Sequence, residues 1–433
     1  MRVLILGANG FIGSAVVSAL MQNDIGVRAV VRDPRKFERR FSGTEAIKAD
    51  LQDKASREPA FWIQALAGVD AVVNAAGVLQ SRREGVAWAV HLHAPNALYD
   101  ACERSGVRRI IQISAVGIEE SETVFARSKR AGDQALMARD LDWTILRPAV
   151  VIGEGAYGGT AMVRAIAAVP WITPVIDAVG KSEPEMDFIH KADLAASIVH
   201  LLQRDAAKKT VLEPASQERM TLRAAVAAYR GWLGLAPRTF MAVPNWAAKA
   251  LARVGDFTRL GPISSTALAQ FNARLTGDAS AFEAASGVQA RGLTAMLNAR
   301  PAETQDLWHA RLYLIRPLIR LALAVMWLVS GLLGLVVDPQ RYLTVFAPFT
   351  SDMETEAALG KFMGAVDLAI ALALIVGWRL KLLASIQLAM VVGYTIALSL
   401  LLPSLWADLF GGLLKNLPII ALIAVHRILE EER

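Results

Sequence analysis

Cysteine is almost missing from this sequence: Cys102 is the single one among 433 residues. A lone thiol excludes an intrachain disulfide and any cysteine-based metal cluster, and it fits a reducing compartment. Cys102 itself reads as a small buried apolar residue. No other pattern identifies a metal or haem site. Charge of one sign is lacking too, since 46 basic residues face 40 acidic ones and the net charge of +6 is spread along the chain. That excludes the concentrated basic footprint of a nucleic-acid binder. No targeting segment is evident: Arg2 runs directly into Val3 to Leu6 and a glycine-rich turn, without an apolar stretch before a cleavage site. The N-terminal part is therefore expected to stay in the cytosol.

What is abundant is apolar surface. A hydrophobic fraction of 54% and a mean hydropathy of +0.37 exceed what an ordinary soluble chain of one or two domains carries, so part of it should meet lipid. The character changes near residue 300. Before it, Val3 to Leu6, Val27 to Val31, Ala71 to Asn74, Ile110 to Ser114 and Trp143 to Leu146 read as strands separated by segments of helical period. This is the signature of a βαβ series with a mostly parallel, doubly wound sheet. Residues 156–299 are less regular, with a strand-like Thr210 to Leu212 and several helices, and suit a small substrate subdomain. The expected division is 1–299 for nucleotide and substrate parts, and 300–433 for a membrane domain.

Four apolar runs occupy that last part. Leu321 to Val337 and Leu382 to Leu402 carry no charge, while Phe362 to Trp378 and Leu409 to Val425 hold one each. A helix needs about 20 mainly apolar residues to span a bilayer, and Arg320 and Arg379 can snorkel at the ends of the shorter runs. A four-helix transmembrane bundle is expected. With the N-terminal domain inside, the cytoplasmic flanks hold Arg311, Arg316, Arg320, Arg379, Lys381, Arg427 and Arg433, against Arg341 and Lys361 outside. The positive-inside rule then places the nucleotide domain and the C-terminal tail in the cytoplasm, on an inner-membrane protein. The outer loop, with Asp338, Asp352, Glu354 and Glu356, is acidic.

The turn Gly7-Ala8-Asn9-Gly10-Phe11-Ile12-Gly13 follows the first strand and opens a helix. Its glycine spacing turns the chain tightly, brings backbone N–H groups up to a pyrophosphate and lets the helix pack closely on the sheet. The helix start then favours negative charge. The second strand ends at Arg32, where a carboxylate would select NAD; an arginine there pairs instead with a ribose 2′-phosphate, which favours NADP(H) over NAD(H). Asp33 weakens that preference, or serves as an N-cap before Pro34. Arg35 adds to the phosphate site or is a solvated helix residue. Asp50-Leu51 is placed to hold the adenine edge, and Asn74-Ala75-Ala76-Gly77 offers small residues against which a cofactor can lie.

With these segments, Ile113-Ser114-Ala115, Lys129, Arg147-Pro148 and Phe188 to Ala195, the first two-thirds of the chain resembles the short-chain dehydrogenase/reductase superfamily. The resemblance is to its atypical branch around NmrA-like proteins and the nucleotide-binding accessory subunit of respiratory complex I. The apolar tail is similar to a DoxX-type four-helix membrane module. The resemblance implies that a serine, a tyrosine and a lysine four residues later act together in catalysis: the tyrosine transfers the proton as hydride moves, the lysine lowers its pKa and binds the nicotinamide ribose, and the serine orients the substrate oxygen. Ser114 and Lys129 match, but Phe125 stands at the tyrosine position and has no proton to give. Substitutes considered from sequence are Ser128, His91, His93 and Tyr99, each equally readable as packing. His190 is readable as a substrate-cleft or a packing residue, and Asp193 caps or anchors the helix after it. Tyr157, in the glycine-rich Gly153 to Gly159, belongs to a loop able to close over a ligand.

Two further expectations concern the membrane. Asp367 and Lys415 each sit about 12 Å along their helix by a rise of 1.5 Å per residue, and are expected either to pair, because unpaired intramembrane charge is costly, or to leave Lys415 snorkelling. Phe240 to Leu260, with Trp246, Lys249 and Arg253, reads as a core helix of the subdomain or as a surface helix on the bilayer. The sequence thus points to a membrane-anchored NAD(P)(H)-binding protein, acting as an oxidoreductase on a lipid-soluble substrate such as a quinone or isoprenoid. The alternative is a redox-inactive nucleotide sensor or an assembly factor for a membrane complex.

Overall fold

The structure is a computed structural model that describes residues 1–80, 83–176, 183–258, 263–337, 352–408 and 411–431. Arg341, Asp338 and Arg433, counted above in the loops and tail, lie outside the described residues. The chain divides into two compact units, Met1–Ala252 with Ser264–Ala310, and Arg253–Ile263 with Arg311–Arg433.

The first unit is built on seven parallel strands: β1 (Arg2–Leu6), β2 (Gly26–Val31), β3 (Glu45–Lys48), β4 (Ala71–Asn74), β5 (Arg109–Ile113), β6 (Asp142–Leu146) and, much later in the chain, β10 (Thr210–Leu212). Their order is β10-β6-β5-β4-β1-β2-β3. The chain therefore starts in the middle of the sheet and winds outward both ways, which opens a crevice at the carboxyl end of β1, where the order reverses. Helices cover both faces, so the central strands are buried on both sides and carry near-continuous apolar runs such as Val3 to Leu6 and Ala71 to Val73. Val3 and Ile5 pack with Val16, Leu20 and Ile198 on one face, while Leu4 and Leu6 pack with Trp62, Leu98 and Tyr99 on the other. Cys102 is buried in the second layer.

The less regular region forms two small sheets, of β7 (Val150–Ile152), β9 (Glu185–His190) and β11 (Arg219–Thr221), and of β8 (Thr173–Ile176) and β12 (Phe240–Val243). Strands of three to six residues leave almost no period to read, which is why the sequence showed none of these five. Their core gathers Ile152, Phe188, Tyr229, Leu293 and Met296. The helix Asn245–Thr258 departs from the core reading: Trp246 is 74% and Phe257 70% exposed, Leu251 and Val254 are exposed too, and only small residues such as Ala248 and Ala252 are buried.

Among the described residues, three helices are long and apolar enough to cross a membrane: Thr304–Val336, Glu354–Val376 and Leu380–Leu401. The fourth run departs from a single span. Within it a short 3-10 turn at Leu413–Lys415 precedes a 14-residue helix, Asn416–Leu429. The Gly411-Gly412 pair, with Gly411 at a φ of +69°, accounts for the interruption. This last helix still runs antiparallel to its neighbour, since Asn416 Nδ2 donates to Thr395 Oγ1 and Arg427 Nε donates to Ser385 Oγ. One end of the bundle is tied by polar groups: Arg316 is bidentate to Glu430, and Arg320 donates to the carbonyls of Leu374 and Ile375. The first helix meets the second through glycines, for a Cβ on Gly364 would lie 2.9 Å from the Gly331 carbonyl oxygen and 3.0 Å from the Gly334 backbone. Small residues let transmembrane helices approach this closely. The Asp367–Lys415 pair is not formed: the Asp367 carboxylate accepts from Ser330 Oγ at 2.6 Å, and its other oxygen has no partner among the described residues.

Candidate functional site

The crevice at the end of β1 begins with Gly7, whose φ of +74° suits glycine alone. A Cβ there would lie 2.7 Å from the backbone of Ala75 and Ala76, so the turn is pressed directly onto the chain leaving β4. A Cβ on Gly13 would come within 2.1 Å of the Gly7 carbonyl. Gly10 N–H closes the turn on Gly7 O at 2.9 Å, and the helix Phe11–Gln22 starts at Gly10 without a side-chain cap. Its first N–H groups are therefore directed outward beside exposed Asn9 and half-buried Phe11 and Ile12, a ready site for a pyrophosphate.

Around this turn stand the other expected residues. Arg32 is exposed at the tip of β2 and engages no partner among the described residues. Asp33 is committed to capping: its carboxylate accepts from Lys36 N–H, with Pro34 in the first turn. Asp50, after β3, accepts from the Gln52 backbone, and Leu51 is half-buried against the core. Asn74 does not face outward. Its amide donates to Gln112 Oε1 and its oxygen accepts from Ala76 N–H, which fixes the bend through Ala75 and Ala76 to exposed Gly77.

The catalytic side is set by the helix Val124–Met137. Lys129 is buried and donates to the carbonyls of Ile113, at 2.8 Å, and Ala76, at 3.3 Å, beside Gly77. Burial pulls its pKa down to about 8, against an opposing pull from Asp133. Asp133, one helical turn on and wholly buried, was not foreseen, although its spacing of four from Lys129 places both on one face. One of its carboxylate oxygens receives both Ser114 Oγ, at 2.9 Å, and Arg147 Nε, at 3.0 Å. Burial raises the Asp133 pKa while Arg147 and then Ser114 oppose the rise. Ser114 thus follows the Ile113 carbonyl that Lys129 holds, and its proton is directed inward to Asp133.

The substitutes proposed for a missing tyrosine are mostly occupied. His91 accepts from Val78 N–H on Nε2, so its Nδ1 carries the proton and donates to Ser128 Oγ, which donates in turn to the Phe125 carbonyl. A π-helical turn at Ala89–His93 aims His91 inward. The Phe125 ring packs edge-on against it at 5.6 Å. Burial, then Lys129, drives the His91 pKa to about 2, so it stays neutral. The Tyr99 hydroxyl is buried on Gln112 Oε1, and His93 lines a surface pocket with Arg57 and Asp100. His190 caps the helix Lys191–Gln203, and Asp193, read from sequence as capping or anchoring it, binds Arg291. His190 also meets Glu154 at 3.2 Å and lines a small cavity with Arg164 and Trp232.

Residues 7–205 match a family model described as NAD(P)H-binding, and residues 324–424 match a DoxX-like family. An uncharacterised sugar epimerase, YhfK, of Bacillus subtilis is 30% identical over 166 residues, 36% of this chain and 76% of that protein. This chain belongs to the NAD(P)H-binding, short-chain-dehydrogenase-like family. Its NAD(P)-binding, reductase- or epimerase-like domain is joined to a DoxX-like membrane part. A ceramide reductase of Caulobacter vibrioides is 29% identical over 198 residues, 46% of this chain and 59% of that protein, so the match spans little over half of that relative. The fold is also that of a UDP-glucuronic acid 4-epimerase from Bacillus cereus, with a TM-score of 0.53 at 15% identity over 72% of this chain and 99% of that one. The uncapped helix start over Gly7 and Gly13 fits a dinucleotide, which supplies or accepts hydride when bound.

Proposed function

We propose that this chain is a membrane-tethered reductase that uses NADP(H) in preference to NAD(H) and acts on a lipid-soluble substrate such as a quinone or isoprenoid. The observation that carries this reading is the juxtaposition of the glycine cradle, built for backbone approach, with Lys129 between the ends of β4 and β5. Backbone N–H groups of Phe11 to Gly13 would hold the pyrophosphate, Arg32 a 2′-phosphate, and Lys129 a ribose hydroxyl. Ser114 and Lys129 are the catalytic-side residues. A cofactor site tethered to a bilayer meets amphiphilic substrate at a raised effective concentration, and a relative named a ceramide reductase supports a lipid as substrate class. The flanking charges favour an inner-membrane protein with its nucleotide domain in the cytoplasm.

The test is to purify the chain in detergent, titrate NADPH and NADH, and follow cofactor oxidation with short-chain quinone analogues. Tighter NADPH binding that is lost in Arg32→Ala, with turnover, supports the reading. Tighter NADH binding overturns the cofactor preference. Phe125 favours a second reading, a nucleotide-binding sensor or assembly factor without redox activity, and binding without turnover on any acceptor would establish it.

A further inference from the structure

Among the described tyrosines, one stands at the mouth of the nucleotide crevice. Tyr99 is consumed by Gln112, Tyr229 is buried in the subdomain core, and Tyr313 and Tyr394 lie on helices of the membrane unit. Tyr157 is 59% exposed, and its ring lies flat on that of Phe11, with centroids 5.0 Å apart and planes 6° apart. Phe11 belongs to the glycine turn itself. The segment that carries Tyr157 leaves the sheet beside Ser114: Ser114 N–H donates to Leu146 O at the end of β6, and Val116 N–H donates to Pro148 O. The chain from Pro148 to Tyr157 therefore connects the catalytic side of the crevice with the cofactor side. Lys191 Nζ lies 5.4 Å from the same Phe11 ring and 3.0 Å from Glu154, so a cation stands against the ring on which Tyr157 stacks. Gly153, Gly155, Gly158 and Gly159 flank the tyrosine, and a Cβ on any of the last three would meet open space, which leaves the loop room to move.

We propose that Tyr157 is the proton donor of this site, supplying from the loop after β7 the hydroxyl that Phe125 lacks on the helix. The proposal rests on the reductase reading. When reduced dinucleotide transfers hydride to a carbonyl carbon, Tyr157 delivers its hydroxyl proton to the carbonyl oxygen. The carbonyl becomes an alcohol, the dinucleotide is left oxidised, and the phenolate regains a proton from water. Ser114, whose hydroxyl is turned toward Asp133, takes no part in that transfer.

The test compares wild type, Tyr157→Phe and Phe125→Tyr in detergent with NADPH and two acceptors, 2-dodecanone, which must be protonated by a donor, and a short-chain quinone. A general acid contributes roughly 100-fold or more, so Tyr157→Phe should lose about that factor in kcat on the ketone while its NADPH affinity and its quinone rate stay within about twofold. A second readout needs no turnover: treatment with tetranitromethane and mass spectrometry should find Tyr157 nitrated in the free chain and protected by NADPH with 2-dodecanone. Wild-type rates in Tyr157→Phe on the ketone, or nitration unaffected by the ligands, overturn the proposal and leave the reductase reading standing. Binding without reduction of either acceptor overturns both. Quinone turnover without ketone turnover overturns the proposal alone, because such a reaction draws its proton from water.

Discussion

The hydroxyl of Ser114 donates to the buried carboxylate of Asp133 at 2.9 Å. The same oxygen takes Arg147 Nε, while the second oxygen of Asp133 has no partner among the described residues. A half-satisfied carboxylate in the interior depends on each donor it has, since loss of one partner exposes the desolvation cost of the other. Ser114→Ala should therefore destabilise the first unit by roughly 1–3 kcal/mol in denaturant melts. In an Asp133→Asn background the same change should cost less, and additive effects would show that the two side chains are not coupled.

Gly13 tolerates no side chain. With a Cβ placed 2.1 Å from the Gly7 carbonyl, Gly13→Ala must push the helix start away from the turn that it supports. NADPH affinity, read from the fluorescence of the bound nicotinamide, should fall at least about tenfold, equivalent to roughly 1.4 kcal/mol. Gly155→Ala, where a Cβ meets nothing within 4 Å, should bind as the wild type does.

His91 makes the fold sensitive to acid. Its pKa is lowered to about 2 by burial and by Lys129, from an ordinary value of 6.5. The unfolded chain thus takes up a proton below pH 6.5 that the folded chain refuses. The stability this contributes is complete above pH 6.5 and is lost as pH falls from there toward 2. A series of thermal melts should show the decline, and His91→Gln should make it shallower. Equal slopes in the two proteins would remove His91 as its source.

Gly364 sets the separation of the first two membrane helices. Gly364→Leu should lower the thermal midpoint of the second unit in detergent, because its side chain meets Gly331 and Gly334 backbone at about 3 Å. Gly393→Leu, where a Cβ would find open space, serves as the control. NADPH affinity of the first unit is expected to be unchanged in both.

Much of this architecture was legible in the sequence because burial on both faces writes continuous apolar runs. Val3 to Leu6, Ala71 to Asn74 and Thr210 to Leu212 were all recognisable as strands, and the glycine spacing marked the crevice. What escaped were contacts that carry no period. The π-helical turn that buries His91 depends on one extra residue per turn, and nothing in Ala89 to His93 announces it. Arg147 was noted only as part of a resemblance, yet it meets Asp133. The fourth apolar run was long enough by composition, but hydropathy does not register the break at Leu413–Lys415.

The seventh strand closes the sheet late. β6 is reached at Asp142–Leu146, but the strand that covers its outer edge, Thr210–Leu212, is made only after β7 to β9 and the helix Lys191–Gln203 have passed. Arg109 waits for the carbonyls of Leu201 and Ala206, and the Thr144 hydroxyl waits for Ala207. Until then the growing chain offers an open ladder to any neighbouring strand, the situation in which nascent proteins pair wrongly. A fragment cut where the NAD(P)H-binding match ends, at residue 205, would keep that exposed edge permanently. A soluble version of the nucleotide domain should therefore retain the chain at least through Leu212, so that the sheet has its last strand.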